Sequence, residues 1–132
     1  MGYQRMKIKT VNTKKAPKAI GPYSQAKVIN GLVFTSGQIP LQPNGELVIG
    51  NFEKECVQVL ENLKAILHES NSNLSNIIKL TVFLTDLNKF NKLNEVFERY
   101  FVDHLPARST IEVSKLPKGC RVEIEAIGLV NV

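Results

Sequence analysis

A chain of 132 residues, 43% hydrophobic and 22% charged, carries enough apolar material for one compact domain and too much for a disordered one. No apolar run approaches the roughly 20 residues of a membrane helix, and the start has no hydrophobic signal region, so one cytoplasmic domain over residues 1–132 is expected. The net charge of +5 is uneven, because Arg5, Lys7, Lys9, Lys14, Lys15, Lys18 and Lys27 all precede the first acid, Glu46.

Residues 1–6 read as a short extension, and Lys7 to Val11 as an edge strand with its lysines outward. Ala16 to Tyr23 holds two prolines and a glycine, which predicts a shaped loop ending in a tyrosine. Asn30-Gly31, the strongest short hairpin signal, separates strands over Gln25–Asn30 and Leu32–Ser36. The segment Ser36-Gly37-Gln38-Ile39-Pro40 leaves that hairpin through a glycine, which permits close backbone approach. A helix follows over Phe52–Glu69, capped by Asn51, with Phe52, Cys56, Val59, Leu60, Leu63, Ile66 and Leu67 on one face. Cys56 is therefore core, and its distance in sequence from Cys120 gives no metal or redox spacing.

Ile77–Leu84 alternates as a strand, and a second helix runs over Lys89–Val102 after Asp86 or Asn88. Its stripe is Phe90, Leu93, Phe97, Tyr100 and Phe101, with Glu95 and Arg99 paired on the outer face. Asn94 falls inside the stripe, where a buried amide needs partners, so it is expected to tie down nearby backbone. Two alternating arms then flank Leu116-Pro117-Lys118-Gly119: Pro106 to Val113, and Val122 to Glu125. The turn between them predicts neighbouring strands. Strands, helix, strand, helix and two strands make an α+β fold, a sheet of five or six strands with both helices on one face. The other face would carry Thr81, Phe83, Glu112, Glu123, Ile127 and Leu129, a mixed surface suited to a second copy of the chain.

Arg108 and Glu123 are the candidate reactive pair. A guanidinium fork near a carboxylate can hold a small acid and move a proton beside it, although an ordinary salt bridge on a sheet face accounts for the same two residues.

Taken in order, Ile20-Gly21-Pro22-Tyr23-Ser24-Gln25, Thr35-Ser36-Gly37-Gln38-Ile39-Pro40, Val82-Phe83-Leu84-Thr85-Asp86-Leu87, Pro106-Ala107-Arg108-Ser109, Leu116-Pro117-Lys118 and Glu123-Ile124-Glu125-Ala126 resemble the Rid family. These are the reactive intermediate deaminases, also called the YjgF or L-PSP family, and the RidA branch is the most similar. The resemblance covers about residues 7 to 130. It implies a chorismate-mutase-like fold assembled as a homotrimer with active sites between subunits. It also implies hydrolysis of 2-iminopropanoate and 2-iminobutanoate to 2-keto acids and ammonia, using neither metal nor cofactor. On this resemblance Arg108 grips the substrate carboxylate, Glu123 orients the water, and the backbone carbonyl of Thr110 helps hold it. Tyr23, Ser36 and Gly37 line the pocket, and Asn94 is structural. Many RidA members have cysteine where this chain has Thr110, so a hydroxyl replaces a thiol near the pocket.

Other function classes fit some of the same features. The basic N-terminal third suits RNA, and members of the family have been described as translation inhibitors with ribonuclease activity and as chaperone-like proteins. No histidine pair supports RNA cleavage, since His68 and His104 both read as helix-end surface residues. A regulator that holds a keto acid without turnover would need Arg108 but not Glu123.

Overall fold

The computed structural model describes residues 7–131, so the extension expected at residues 1–6 lies outside the described residues. Within them the strands are β1 (Lys9–Val11), β2 (Ala26–Ile29), β3 (Leu32–Thr35), β4 (Ile77–Leu84), β5 (Ala107–Glu112) and β6 (Val122–Leu129). The helices are α1 (Phe52–Glu69) and α2 (Phe90–Tyr100). All the strands join one sheet in the order β1-β2-β3-β6-β4-β5, which is the mixed α+β architecture expected. Asn30 and Gly31 take positive φ (51° and 77°), as a tight hairpin turn requires, and set Ile29 opposite Leu32.

One expectation fails. The two C-terminal arms are not neighbours, because β4 lies between them, parallel to β5 and antiparallel to β6. The unit β4–α2–β5 is a crossover, and a parallel pair of strands needs a helix-length connection of that kind. Residues 113–121 then carry the chain past β4 instead of closing a hairpin, with Lys118 and Gly119 at positive φ turning its direction.

The predicted apolar stripe of α1 is buried as a unit, and Asn51 Oδ1 accepts from Lys54 N–H at 3.0 Å to cap the helix. Two polar residues are buried with it. Glu55 is paired with Arg121, whose Nε donates to Oε1 at 3.0 Å. Asn62 Nδ2 donates to the carbonyls of Leu41 (2.8 Å) and Ile39 (3.2 Å), pinning the loop after β3 to the helix. The tying role expected of Asn94 therefore belongs to Asn62. Asn94 itself is only half-buried and makes no hydrogen bond among the described residues.

Helix α2 begins after a 3₁₀ turn, Leu87–Lys89, in which Asp86 accepts from Asn88 N–H at 2.9 Å. It stops at Tyr100, short of Val102. Arg99 reaches across to Glu53 of α1 at 3.0 Å, and Glu95 pairs with Lys92 at 2.9 Å, so the expected Glu95–Arg99 pair does not form.

Both helices cover one face of the sheet, where Val33, Leu80, Val82, Leu84, Val122 and Ile124 are fully buried. The opposite face shows Phe34, Thr81, Phe83, Ile111, Glu123, Ile127 and Leu129, much as alternation predicted. Glu112 does not join them. It lies level with Leu84, and its carboxylate accepts from Leu87 N–H at 3.0 Å.

Candidate active site

The predicted site residues form two groups on opposite faces of the sheet. The first group stands on β5, an edge strand. Arg108 lies level with Leu80, so it projects toward α2, and its Cζ is 5.2 Å from the ring centroids of both Phe90 and Phe97. Aromatic faces attract a guanidinium while leaving its N–H groups free to bind something else. Arg108 makes no hydrogen bond or ion pair among the described residues. It opens into a cleft of about 330 Å³, lined also by Leu80, Asn94, Phe97, Glu98 and Leu105. Desolvation there lowers its pKa. Thr110 projects from the same face, two residues along, and its hydroxyl is buried without a partner among the described residues.

The second group gathers where β3 ends beside β6. Glu123 sits opposite Phe83 on the uncovered face. Its carboxyl is held above the ordinary value, first by burial and then by the nearby charge of Glu125. No hydrogen bond from the described residues satisfies it. Gly37 makes room for this carboxylate: a Cβ at that position would stand 2.7 Å from Glu123 Oε2. The segment is locked to β6 by paired backbone bonds between Gln38 and Ile124, at 2.8 and 3.0 Å. Ser36 Oγ donates to the carbonyl of Ser24 at 2.5 Å, which ties β3 to the loop bearing Tyr23. Tyr23 is half exposed, and its hydroxyl accepts from Ile20 N–H at 3.3 Å. Tyr23 and Gly37 line one narrow cleft.

Gln25 is a positioning residue that sequence reasoning did not single out. Its buried amide accepts from Thr13 N–H at 2.7 Å and donates to the carbonyls of Thr13 (3.0 Å) and Pro17 (2.9 Å). One side chain thereby shapes the loop that delivers Tyr23. A glutamine closing a proline-rich loop was the available signal, since such loops need their backbone groups satisfied.

Arg108 and Glu123 thus do not meet within one chain. Strand β4 separates their strands, and their side chains leave opposite faces. Arg108, Asn94 and Thr110 gather on one side of the sheet; Glu123, Gly37, Ser36 and Tyr23 gather on the other. Neither cysteine joins either group. Burial pushes the Cys56 thiol up to about 12 and the Cys120 thiol up to about 11. Among the described residues, no cluster of histidine, cysteine and carboxylate could hold a metal ion, and no helix is long and apolar enough to cross a membrane.

The divided site and the mixed sheet belong to a known class. The chain belongs to the endoribonuclease L-PSP family, whose model matches residues 13–130. A RutC family protein of Pyrococcus abyssi is 48% identical over 92% of this chain and 97% of its own length. The human protein named 2-iminobutanoate/2-iminopropanoate deaminase is 43% identical over 92% of this chain and 89% of its own. The crystal structure of E. coli TdcF with bound serine matches with a TM-score of 0.88 at 43% identity, covering 93% of this chain and 99% of that one.

Proposed function

We propose that this protein hydrolyses short 2-imino acids, such as 2-iminopropanoate and 2-iminobutanoate, to 2-keto acids and ammonia. The reaction takes place at sites completed between subunits of a homotrimer. The observation that carries the reading is Arg108, an unpaired guanidinium held between two aromatic rings at the mouth of a cleft. Such a group is ready to take a carboxylate by two parallel hydrogen bonds. The name of the human relative and the serine bound by TdcF support a small carboxylate ligand. The uncovered sheet face supports an assembly that would bring Glu123 of one copy toward Arg108 of another.

In this mechanism Arg108 fixes the substrate carboxylate and so aims the imine carbon. Glu123, with the backbone carbonyl of Thr110, holds a water on that carbon. The water oxygen bonds to carbon as Glu123 takes its proton, and the C=N electron pair moves to nitrogen. The resulting carbinolamine collapses when Glu123 returns its proton to the amine nitrogen: the C–N bond breaks, the hydroxyl oxygen's electron pair forms C=O, and the hydroxyl proton passes to Glu123 or the departing ammonia, releasing ammonia and the keto acid. A carboxyl whose pKa lies above the ordinary range is better matched to accept and return a proton near neutrality. A protonated imine is already electrophilic, so positioning supplies most of what the chemistry requires.

The test generates 2-iminopropanoate in situ from serine with a dehydratase and follows keto acid and ammonia. Arg108→Ala should lower kcat/KM by about 100-fold or more, the usual scale for a lost charge-assisted substrate contact in a desolvated site. Glu123→Gln should lower kcat more than it raises KM. A folded oligomer that accelerates none of several imines sinks the reading. Keto-acid binding without turnover, lost in Arg108→Ala and kept in Glu123→Gln, would identify a regulator instead.

A further inference from the structure

A second cleft, away from Arg108, has an unusual charge pattern. It encloses about 510 Å³ between the loop after β1, the turn at Pro43 and the connector before β6. Its charged lining is entirely basic: Lys14, Lys18 and Lys118. Glu46, next in the chain after Gly45, does not line it. None of the three ammonium groups has a hydrogen bond or ion pair among the described residues. Ion pairs form elsewhere, at Lys92, Arg99 and Arg121, where acids are within reach. Between the lysines the wall is mainly apolar, with Ile20, Leu41 and Pro43 beside the neutral polar Asn12, Thr13 and Asn44.

We propose that this cleft binds a small phosphomonoester with an apolar body. Three unpaired ammonium groups match a dianion better than a single carboxylate, and lysine serves phosphate as a point charge without a planar fork. The volume lies within the range of small-ligand pockets and far exceeds what a bare oxyanion fills. The remaining space is mainly apolar and carries no further charge, so the ligand carries carbon behind its phosphate. Lys118 is placed by backbone geometry as well as by sequence. Its φ of 57° lies in the left-handed region, sparsely used by residues with a long side chain, and its neighbour Gly119 has φ 68°. The cleft shares Pro17, Lys18, Ile20 and Leu41 with the narrow cleft of Tyr23 and Gly37, so an occupant would press on the loop that delivers Tyr23.

The test is calorimetric titration of the full chain at low salt with phenyl phosphate. Inorganic phosphate and phenylacetate serve as probes of each half of the ligand, and a short RNA oligonucleotide is run alongside. Phenyl phosphate should saturate one site per chain and bind about tenfold more tightly than either half-probe, the factor that about 1.4 kcal/mol of extra contact gives. Lys14→Gln alone, and Lys18→Gln combined with Lys118→Asn, should each weaken it several-fold. Asparagine tolerates the left-handed backbone, and each variant is checked by thermal melting. Arg108→Ala should leave the titration unchanged.

Binding lost in Arg108→Ala but kept in the lysine variants would place the anion in the other cleft and overturn the proposal. Equal binding of phenylacetate would overturn the phosphate assignment. RNA binding tighter than phenyl phosphate, and falling steeply with salt, would assign the lysines to a polyanion surface instead. Absence of saturable binding would leave them as solvated charges, which also overturns it.

Discussion

The two faces of the sheet are built from alternate residues of the same strands, yet only one is finished. On the helix side Leu80, Val82 and Ile124 are 0% exposed, whereas on the other side Phe34 is 40%, Ile111 45% and Leu129 51% exposed. Two helices can cover one layer, and there is no third α-helix among the described residues to cover the second. The site divides along the same line. Arg108 sits on the covered face beside α2, and Glu123 sits on the uncovered one. The covered face makes the fold, and the uncovered face leaves apolar residues of the same strands without a covering layer.

That contrast can be broken by substitution, and the largest effect belongs to the covered face. Leu80→Ala should destabilise the protein by about 3 kcal/mol, because a fully buried leucine loses both transfer energy and packing. The equivalent change across the sheet, Ile111→Ser, should move monomer stability by only about 0.5 kcal/mol while shifting the mass measured by light scattering toward smaller species. Equal loss of stability in both variants, with no change of mass, would refute the assignment of the uncovered face to assembly.

A smaller effect sharpens the comparison at Glu123. The folded state raises its pKa, so it binds that proton more tightly than the unfolded chain does. The linked stabilisation is complete below the ordinary glutamate value, about 4.3, and is lost as pH rises through the higher folded value. Ionised Glu123 therefore weakens the fold at neutral pH. Glu123→Gln should melt higher than the parent at pH 7, and its advantage should shrink as pH falls toward 4. Melting curves at several pH values check the sign. Deaminase activity, if Glu123 is the base, should fall over the same acid limb.

A further effect is at Thr110, whose buried hydroxyl has no partner among the described residues. Thr110→Val keeps the shape and removes the unsatisfied group, so urea unfolding should show a gain of about 1 kcal/mol. A loss would mean that the hydroxyl is bonded in solution.

Much of this molecule was legible in its residues. Period-two alternation marked the central strands, and helical spacing marked the stripe of α1 down to Cys56. Asn30-Gly31 specified the hairpin because only a left-handed pair closes a two-residue turn well. The site residues stood out as types, a guanidinium, a carboxylate and a glycine leaving a strand, since chemistry restricts which side chains can do the work. Local sequence could not show strand order. The Pro117–Gly119 break looks the same whether the next strand returns beside β5 or crosses beyond β4. That choice depends on α2 packing back over the sheet and leaving β5 parallel to β4, a non-local balance of burial. Nor could it show that Asn62, not Asn94, is the amide that ties a loop down, because both occupy helical positions and only the path of residues 39–41 decides between them. The sequence alone determined the elements, the core stripe and which side chains are candidates for chemistry, all fixed by local spacing and residue type. Only the tertiary structure placed Arg108 and Glu123 on opposite faces, because facing follows from the register of strands that meet across the sheet, far apart in the chain.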